Sequence, residues 1–367
     1  MTVTEEFNFE AAVKSALNEA LRKRGHVNVL IAGRTGVGKS TLINAVFQGN
    51  FATTGQGRPI TQNTREIKKE GVPLSIFDTR GLEMADFDET LGALQKLINE
   101  RSRNTDANQH IHVAWVCIAE DSRRVEPAEE SLVKMLADRN IPVIAVITKA
   151  RSDNGFRAKV IEILPDVRNV MRVRAIQEVL DEDIVLPPKG LPELVEVTMQ
   201  VVPESLRRAF IAAQKVDVEL KKTQSHAIVI GSAATAAATA AVPIPFSDAI
   251  AIVPIQIGML AGISATFGLS VDKSFLSTII GGVIAGAGGT LAGRFIVSGL
   301  LKMIPGAGSV AGGTIAATTA AALTTAIGEA YIAALDMLFV ENDGEPPTTD
   351  EVAEAFKAKY TLVISGK

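Results

Sequence analysis

The spacing of apolar residues divides the chain into three zones with different periodicity. Residues 6–24 carry apolar side chains three and four positions apart with charges between them, which predicts an amphipathic helix. Between His26 and about Leu194, short apolar runs alternate with stretches of helical periodicity. Beyond residue 201 the pattern is helical, and residues 226–340 carry few formal charges. The chain is therefore predicted to contain a helix, an α/β domain and an all-α apolar domain in succession.

The middle zone contains runs typical of buried strands, separated by amphipathic stretches. The strand candidates are Val27–Ala32, Leu74–Phe77, Val113–Ala119, Val143–Thr148 and Val170–Ala175. The helix candidates are Ser40–Phe47, Glu89–Glu100 and Pro127–Arg139. Strands that alternate with helices indicate a mostly parallel sheet with helices on both faces. Pro127 suits the first position of a helix, because its missing N–H loses no hydrogen bond there.

Composition narrows the classes of partner and of compartment. Apolar residues make up 47% of the chain, so material for a large core is ample. A net charge of −4 and an aromatic content of 5% both argue against a nucleic-acid partner. Cys117 is the only cysteine, which excludes an intramolecular disulfide and fits a reducing compartment. The segment Met1–Glu6 carries no basic leader, so no secretory signal is expected. The scarcity of cysteine points to the cytoplasmic side of a cell.

A glycine-rich segment joins the first predicted strand to the first predicted helix. It reads Gly33-Arg34-Thr35-Gly36-Val37-Gly38-Lys39-Ser40, a full match to G-x-x-x-x-G-K-[ST] between the flanking elements that this motif requires. Glycines let backbone N–H groups converge on phosphate oxygens, and the helix N-terminus adds a partial positive charge. Lys39 is expected to reach the β- and γ-phosphates, and Ser40 to ligate Mg²⁺. The nucleotide contacts predicted here are Arg34, Thr35, Gly36, Val37, Gly38, Lys39, Ser40 and Thr41.

A second element of the same site follows the second predicted strand. There the chain reads Asp78-Thr79-Arg80-Gly81. The Asp78 carboxylate is expected to hold the Mg²⁺ shell, and the N–H of Gly81 to sense the γ-phosphate. An Asp-x-x-Gly sequence alone is weak evidence, since both residues are common in turns. At the end of a strand that follows a P-loop, it becomes strong evidence for a nucleoside triphosphate site.

These motifs resemble the Ras-like P-loop GTPases, particularly the Era type and the immunity-related GTPases, over roughly residues 25–180. The resemblance implies GTP and GDP as ligands, Mg²⁺ as cofactor and hydrolysis of GTP. It also implies that Arg58–Arg65 is switch I, where Thr61 completes the metal coordination and Thr64 is the second candidate. The residues expected to act in catalysis are then Lys39, Thr61 and Gly81, and those expected to hold the metal are Ser40, Thr61 and Asp78.

The base-reading element departs from the pattern of that family. Thr148 and Lys149 match an Asn/Thr-Lys-x-Asp run, but Arg151 occupies the aspartate position and Asp153 lies two residues late. In the family, that carboxylate accepts the guanine N1 and N2 hydrogens. Either Asp153 reaches the base through an altered turn, or selectivity for GTP over ATP is relaxed. The resemblance places the last base contact near Ala175.

Efficient unaided hydrolysis is not expected. Leu82 follows Gly81, where Ras-like proteins often carry a glutamine that positions water, and Gly36 replaces the asparagine of relatives activated by potassium. Arg34 and Arg80 could neutralise charge, or they could simply be solvated. The hypothesis is slow intrinsic turnover that a homodimer, a larger assembly or another partner accelerates.

The apolar zone contains four segments without formal charge, namely Ala227–Ser247, Ala249–Val271, Ser274–Gly293 and Met303–Gly328. Each is long enough to cross a hydrocarbon layer of about 30 Å as a helix. Ala, Gly and Thr gain little in lipid, however, and prolines interrupt the segments. Membrane association is the favoured interpretation, and a buried soluble or oligomeric bundle is the alternative. Through its stretch from Pro243-Ile244-Pro245 to Pro254-Ile255-Gln256, this zone also resembles a Gly/Ala-rich helical domain of unassigned activity, found behind GTPase domains in many bacterial proteins.

The predicted organisation is an amphipathic helix at 1–25, a GTPase domain at 26–195, an apolar Gly/Ala-rich helical domain at 196–345 that we expect to be membrane-associated, and a polar tail helix at 346–367. The first helix is expected to dock on the domain that follows it, or else to contact a membrane or a partner. We expect a nucleotide-dependent switch at the cytoplasmic face of a membrane. The alternatives are a soluble NTPase in RNA or ribosome assembly, and a scaffold that binds nucleotide without turnover. The chain lacks a basic, aromatic module for RNA, which argues against the former.

Overall fold

The chain folds into two compact units. The computed structural model describes residues 8–51, 56–59, 64–79, 87–181, 184–240, 248–269, 272–285 and 317–365. One unit is Gly25–Asp217. The other joins the N-terminal residues, with the helix α1 (Phe9–Arg24), to the chain from Val218 onward.

A seven-stranded sheet forms the centre of the first unit. Its strands are β1 (Val27–Ala32), β2 (Gln56–Pro59), β3 (Thr64–Lys68), β4 (Leu74–Thr79), β5 (Val113–Ala119), β6 (Val143–Thr148) and β7 (Asn169–Arg172). Their order is β2-β3-β4-β1-β5-β6-β7. The strands β4, β1, β5, β6 and β7 are parallel, whereas β3 runs antiparallel to both of its neighbours. Every residue of β1, β4, β5 and β6 is buried, as expected for parallel strands covered on both faces.

Six α-helices, three short 3-10 helices and a hairpin complete the described part of this unit. The α-helices are α2 (Lys39–Val46), α3 (Phe87–Ser102), α4 (Pro127–Ala137), α5 (Phe156–Ile163), α6 (Leu191–Val201) and α7 (Arg207–Ala213). The strands β8 (Glu178–Asp181) and β9 (Ile184–Leu186) pair antiparallel in a sheet of their own. On one face of the main sheet the rings of Phe47 and Trp115 stack 5.6 Å apart, and Phe210 meets Phe47 edge-on at 5.9 Å. This packing contributes aromatic pair energy as well as burial.

The predicted α/β class and the all-helical second part are confirmed. Three predicted strands end where β1, β5 and β6 end, and Pro127 begins α4 as expected. The predicted strand Val170–Ala175 is replaced by the shorter β7, because from Arg174 the backbone pairs with Lys189 instead. The strands β2, β3, β8 and β9 were not predicted, since β2 and β3 are largely polar and β8 and β9 are only four and three residues long.

Helices alone form the described part of the second unit. Besides α1 they are α8 (Val218–Ala240), α9 (Asp248–Phe267), α10 (Lys273–Ala285), α11 (Ala317–Glu341) and α12 (Thr349–Ser365). Its core takes apolar side chains from all of them, with Val13 and Leu17 of α1 and Phe356 of α12 among its buried members. Inside it, the hydroxyls of Ser264 and Tyr331 lie 2.7 Å apart. The tail helix α12 is thus an integral part of this unit.

The helix α1 corrects one expectation from the sequence. Docking on the domain that follows it was expected, yet α1 packs against α9 and α10. Val13 is fully buried there, and Leu17 and Ala20 are nearly so. The apolar stripe of α1 is thus buried against the apolar faces of α9 and α10, because an amphipathic helix cannot bury this stripe by itself.

Among the described helices, α11 is the one that is long and apolar enough to cross a membrane. Its most apolar window has a mean hydropathy of 1.5, and 56% of that window is buried inside the unit. Core helices of soluble proteins share these properties. The predicted segments Ala227–Ser247, Ala249–Val271, Ser274–Gly293 and Met303–Gly328 each extend beyond the described residues.

Candidate nucleotide-binding site

The glycine-rich segment forms a tight loop between β1 and α2, at the centre of the sheet. Gly33 has a φ of +152°, and a Cβ on it would lie 2.5 Å from the carbonyl oxygen of Cys117. Glycine is therefore required where the loop leaves β1 beside β5. Gly38 precedes α2 with a φ of 97°, which also favours glycine. The side chains of Ser40 and Thr41 are exposed at the start of α2, where an anion is stabilised by the helix terminus.

Lys39 is held against its own loop. Its Nζ donates to the carbonyl oxygen of Gly33 at 2.6 Å and to that of Arg34 at 3.1 Å, and the residue is 8% exposed. Both acceptors are neutral carbonyls. A phosphate oxygen carries charge and is the stronger acceptor for an ammonium group. The side chain thus already lies over the loop in which phosphates would be bound.

Hard oxygen donors stand on either side of this loop. Asp78 is 4% exposed near the end of β4 and lies beside Ile31 of β1 in the sheet. The Ser40 hydroxyl lies at the start of α2. A carboxylate and a hydroxyl suit Mg²⁺, which takes few protein ligands and keeps several waters, so the residues present fit this metal.

Two of the predicted catalytic residues, Thr61 and Gly81, lie outside the described residues, as do Arg80 and Leu82. Thr64, the second candidate in switch I, is the first residue of β3 and is 2% exposed. Its hydroxyl lies 3.3 Å from that of Thr79. In this conformation Thr64 therefore contacts the neighbouring strand.

Thr148 connects the end of β6 to the phosphate loop. Its hydroxyl donates to the carbonyl oxygen of Val37 at 2.6 Å. Lys149 follows in the left-handed conformation, with a φ of 53°, and its Nζ lies 3.6 Å from a carboxylate oxygen of Asp121. Arg34, Gly36, Asp121 and Lys149 are among the residues that line a cavity of about 210 Å³ beside the loop. Two predicted base-binding residues are thus brought to the predicted phosphate loop.

The turn after Lys149 is organised by Glu120, a residue that sequence reasoning missed. One Glu120 oxygen accepts from the N–H groups of Arg151 at 2.5 Å and Ser152 at 2.8 Å, and the other accepts from Arg172 Nε at 2.7 Å. Burial alone would raise the pKa of Glu120, but these hydrogen bonds outweigh it and the pKa falls. An acid directly after a fully buried strand was the available signal.

The Asp153 side chain accepts a hydrogen bond from the first turn of α5. Its Oδ1 accepts from the N–H of Arg157 at 2.8 Å and lies 3.6 Å from Arg172 Nε. Arg151, in contrast, turns its guanidinium to Glu178 at the start of β8, with Nε 2.9 Å from a carboxylate oxygen. Ala175 is half-buried after β7. The structure thus brings Arg151 and the start of β8 together, and directs Asp153 to its own helix.

The phosphate loop is also attached to the start of α4. Arg34 Nη1 donates to Glu126 at 3.2 Å, and the N–H of Glu126 donates to Glu129 at 2.9 Å in a capping box. Glu129 is 2% exposed. Burial raises its pKa to about 7, and the negative charge of Glu126 adds to that rise. In this conformation the Arg34 guanidinium is therefore engaged with an acid of α4.

Comparison with known proteins matches two family models. Residues 28–149 match the family described as 50S ribosome-binding GTPase. Residues 208–360 match the family described as domain of unknown function (DUF697). Together these models cover most of the chain in two separate parts.

Two curated relatives each match about a third of the chain. The tRNA modification GTPase MnmE of Treponema denticola is 30% identical over 140 residues, which are 37% of this chain and 28% of that protein. The GTPase Der of Rhizobium etli is 29% identical over 133 residues, which are 35% of this chain and 27% of that protein. The chain thus spans less than a third of the length of these relatives.

Solved structures resemble the chain weakly. The match to Era of Aquifex aeolicus bound to GDP and AlF4⁻ has 18% identity and a TM-score of 0.33, over 58% of this chain and 68% of that one. The G domain of the T. maritima FeoB iron transporter matches with 19% identity and a TM-score of 0.32, over 48% of this chain and 98% of that one. The assignment therefore rests on the family models and on the sheet order.

The parallel strands, the phosphate loop at the end of β1 and the matched family all agree with the resemblance to P-loop GTPases. The second match agrees with the resemblance of the apolar zone to a bacterial helical domain. The chain therefore carries a P-loop GTPase domain, whose residues 28–149 match the family described as 50S ribosome-binding GTPase, followed by a helical part whose residues 208–360 match the DUF697 family.

Proposed function

We propose that the chain binds GTP and GDP with Mg²⁺, hydrolyses GTP to GDP and phosphate, and acts as a nucleotide-dependent switch coupled to its helical unit. The observation that carries the proposal is Lys39, which lies over the glycine-rich loop with Nζ 2.6 Å from the Gly33 carbonyl. The nucleotide contacts in this proposal are those predicted from the sequence from Arg34 to Thr41 and at Thr148, Lys149 and Ala175. Asp153, the remaining residue of that prediction, is left out because it accepts a hydrogen bond from the N–H of Arg157 in α5.

Transfer of a phosphoryl group to water depends on positioning and on neutralised charge rather than on covalent chemistry. Lys39 would place its positive charge between the β- and γ-phosphates, and the loop N–H groups would bind their oxygens. Ser40 and Asp78 would hold Mg²⁺, which supplies further positive charge to the phosphates. Thr61 and Gly81 are proposed to complete the metal coordination and to sense the γ-phosphate.

Turnover is proposed to be slow for the isolated chain. Leu82 supplies no group that could position water, and the guanidinium of Arg34 donates to Glu126. Phosphate release is to be measured across a range of protein concentrations. A rate per molecule that rises with concentration supports stimulation in a homodimer or assembly, and a fast rate independent of concentration contradicts it. A chain that binds GTP but releases no phosphate under any condition is a scaffold instead.

The helical unit is proposed to associate with a membrane at its cytoplasmic face. Support comes from α11, which is long and apolar enough to span a membrane, and from the scarcity of charge in residues 226–340. The test is flotation of the protein with vesicles of phosphatidylcholine and phosphatidylglycerol. The protein is bound beforehand to either GDP or a non-hydrolysable GTP analogue. Flotation that differs between the two nucleotides, and that Lys39→Ala makes insensitive to nucleotide, supports a switch. A chain that stays at the bottom of the gradient in both states contradicts membrane association.

A second candidate is a role in ribosome or RNA assembly. It is favoured by the description of the matched family, 50S ribosome-binding GTPase, and by the tRNA modification GTPase among the relatives. A net charge of −4 argues against it. Co-sedimentation of the chain with large ribosomal subunits, in the presence of GTP but not of GDP, would favour this candidate.

A further inference from the structure

The aspartate that reads guanine in related proteins is replaced here by Arg151, and the structure shows what this arginine contacts. Its Nε donates to Glu178 Oε2 at 2.9 Å, and its Nη2 donates to the other oxygen, Oε1. This fork-to-fork pairing fixes the carboxylate in one orientation. The side chains of Arg151 and Glu178 are 54% and 27% exposed, so the pair lies at the surface and is accessible to a ligand. A carboxylate is thus restored beside position 151, although it comes from another element.

The hairpin that carries Glu178 is attached to the base-reading turn by buried contacts. Arg174, 7% exposed, donates to the carbonyl oxygen of Ala150 at 2.7 Å and to that of Pro187 at 2.6 Å. The Ala150 N–H donates to Val173 at 3.2 Å. Two backbone hydrogen bonds of 2.9 Å join Arg174 to Lys189 at the base of the hairpin. Because Glu178 begins the first strand of this hairpin, its position relative to Arg151 is set by the backbone.

A carboxylate beside the base would bind guanine in preference to adenine, because the two purines present different hydrogen-bonding groups at the same edge. The edge of guanine presents two neighbouring donors, N1–H and the N2 amino group, to which a carboxylate offers two acceptors. Adenine presents a bare N1 and a C–H at the same edge, so it gains nothing from a carboxylate. Arg151 alone would face the donors of guanine with donors of its own. The hydrogen bonds from Arg151 lower the pKa of Glu178 below its ordinary value, at which a glutamate is already an ionised acceptor at neutral pH.

The other acids near the turn are directed elsewhere. Glu120 is 2% exposed and already accepts from two backbone N–H groups and from Arg172. Asp153 accepts from the N–H of Arg157 in α5. Asp121 lies beside Lys149, at 3.6 Å, on the side of the phosphate loop. Among the described acids, Glu178 is the one that accepts hydrogen bonds from the Arg151 side chain.

We propose that Glu178 supplies the carboxylate that reads the N1 and N2 hydrogens of guanine, and that Arg151 is the residue that positions it. The proposal rests on the nucleotide binding proposed above. It predicts that guanine selectivity survives the loss of the usual aspartate, because the acid has moved to β8.

The test is the set of equilibrium dissociation constants of the full chain for GDP, IDP, ADP and XDP. We expect the natural chain to bind GDP about tenfold or more tighter than ADP, and tighter than IDP, which lacks the 2-amino group. Glu178→Gln is expected to weaken GDP binding by about tenfold and to leave ADP binding unchanged. An amide offers one acceptor and one donor, which matches xanthine, so XDP binding should strengthen.

Two further variants separate this role from a structural one. Asp153→Asn is the matched control and should leave the ratio of GDP to ADP affinity unchanged. In an Arg151→Asp background the carboxylate is restored at the usual position, so adding Glu178→Gln should have little further effect on that ratio. Urea unfolding of each variant verifies that the fold is retained.

The outcomes distinguish this inference from the proposed function. A natural chain that binds none of the four nucleotides overturns both. Binding of GDP with a ratio to ADP that Glu178→Gln does not change overturns the role of Glu178 and leaves the proposed function intact. Loss of the ratio in Asp153→Asn instead assigns the reading to Asp153.

Discussion

At the residue scale, the phosphate loop depends on a glycine whose surroundings leave no room for a side chain. A Cβ on Gly33 would lie 2.5 Å from the Cys117 carbonyl, whereas one on Gly36 would meet nothing within 4 Å. Both residues have a positive φ, so Gly36→Ala introduces backbone strain and Gly33→Ala introduces strain and a clash. We expect Gly33→Ala to lower the free energy of unfolding by about 1–3 kcal/mol more than Gly36→Ala, measured in urea. Equal losses would show that the loop relaxes freely away from β5.

Glu129 predicts a pH dependence of stability. Burial raises the pKa of this acid in the folded state to about 7, from an ordinary value of 4.5. Between these values the folded state binds the proton more strongly than the unfolded state, so stability falls as the pH rises from about 4.5 to about 7. Glu129→Gln keeps an acceptor for the Glu126 N–H and removes the titration. Its unfolding free energy should therefore fall less over this interval than that of the natural chain, and an unchanged slope would contradict the shift.

Site residues that belong to one continuous sequence motif could be predicted. Site residues that reach the site only through tertiary contacts could not. Lys39 and Ser40 belong to one loop, so a motif predicts them before any fold is known. Glu120 and Glu178 contact the base-reading turn from distant parts of the chain. The position of Glu120 directly after a buried strand marks it as unusual but does not say what it contacts, and the neighbours of Glu178 give no signal. The structure also shows Asp153 engaged with α5, which no spacing rule indicates.

At the scale of elements, two glycines of the second unit should respond to alanine with changes in stability of opposite sign, because one lies at a close helix contact and the other is exposed. A Cβ on Gly328 of α11 would lie 2.5 Å from Cγ2 of Val229 in α8. Gly328→Ala should force these helices apart and destabilise the unit by about 1–3 kcal/mol. Gly231 of α8 is exposed with nothing within 4 Å, so Gly231→Ala should stabilise it by about 0.5–1 kcal/mol. Thermal unfolding of both variants is the measurement, and a rise in midpoint for Gly328→Ala would contradict the packing.

The central strands could be predicted end to end because they are apolar at every position. β1, β5 and β6 are buried on both faces, which gives continuous apolar runs in the sequence. The edge strand β2 contains Gly57 and Pro59, which read as turn residues. In β8 and β9 most apolar side chains are exposed, so these short strands lack the alternation of buried apolar and exposed polar residues by which strands are predicted. Edge pairing is decided by backbone hydrogen bonds, which sequence periodicity does not report.

At the scale of the whole molecule, the proposed switch requires that the helical unit respond to the nucleotide. Backbone hydrogen exchange of the full chain is to be compared between GDP and a non-hydrolysable GTP analogue. We expect the analogue to change exchange rates within Gly25–Asp217 and also in helices from Val218 onward. Changes confined to the first unit would show that the two units are uncoupled.

The sequence also indicated the division of the molecule into chemically different parts. Loss of charge after residue 226 predicts a helical part, because such residues must bury their side chains against one another or in lipid. It does not predict that α1 joins the core of that part, since this depends on complementary surfaces far apart in sequence. Nor does it distinguish lipid from protein as the environment of α11, since both require the same apolar side chains.

The central claim is a GTP site built on Lys39, and equilibrium binding of GTP with Mg²⁺ to the full chain tests it most directly. Lys159, an exposed lysine of α5, provides the matched control. We expect Lys39→Ala to weaken GTP binding by about tenfold to a hundredfold, since hydrogen bonds from an ammonium to phosphate are lost, and Lys159→Ala to leave it unchanged. GTP affinity that is equal in the natural chain, Lys39→Ala and Lys159→Ala would contradict the account.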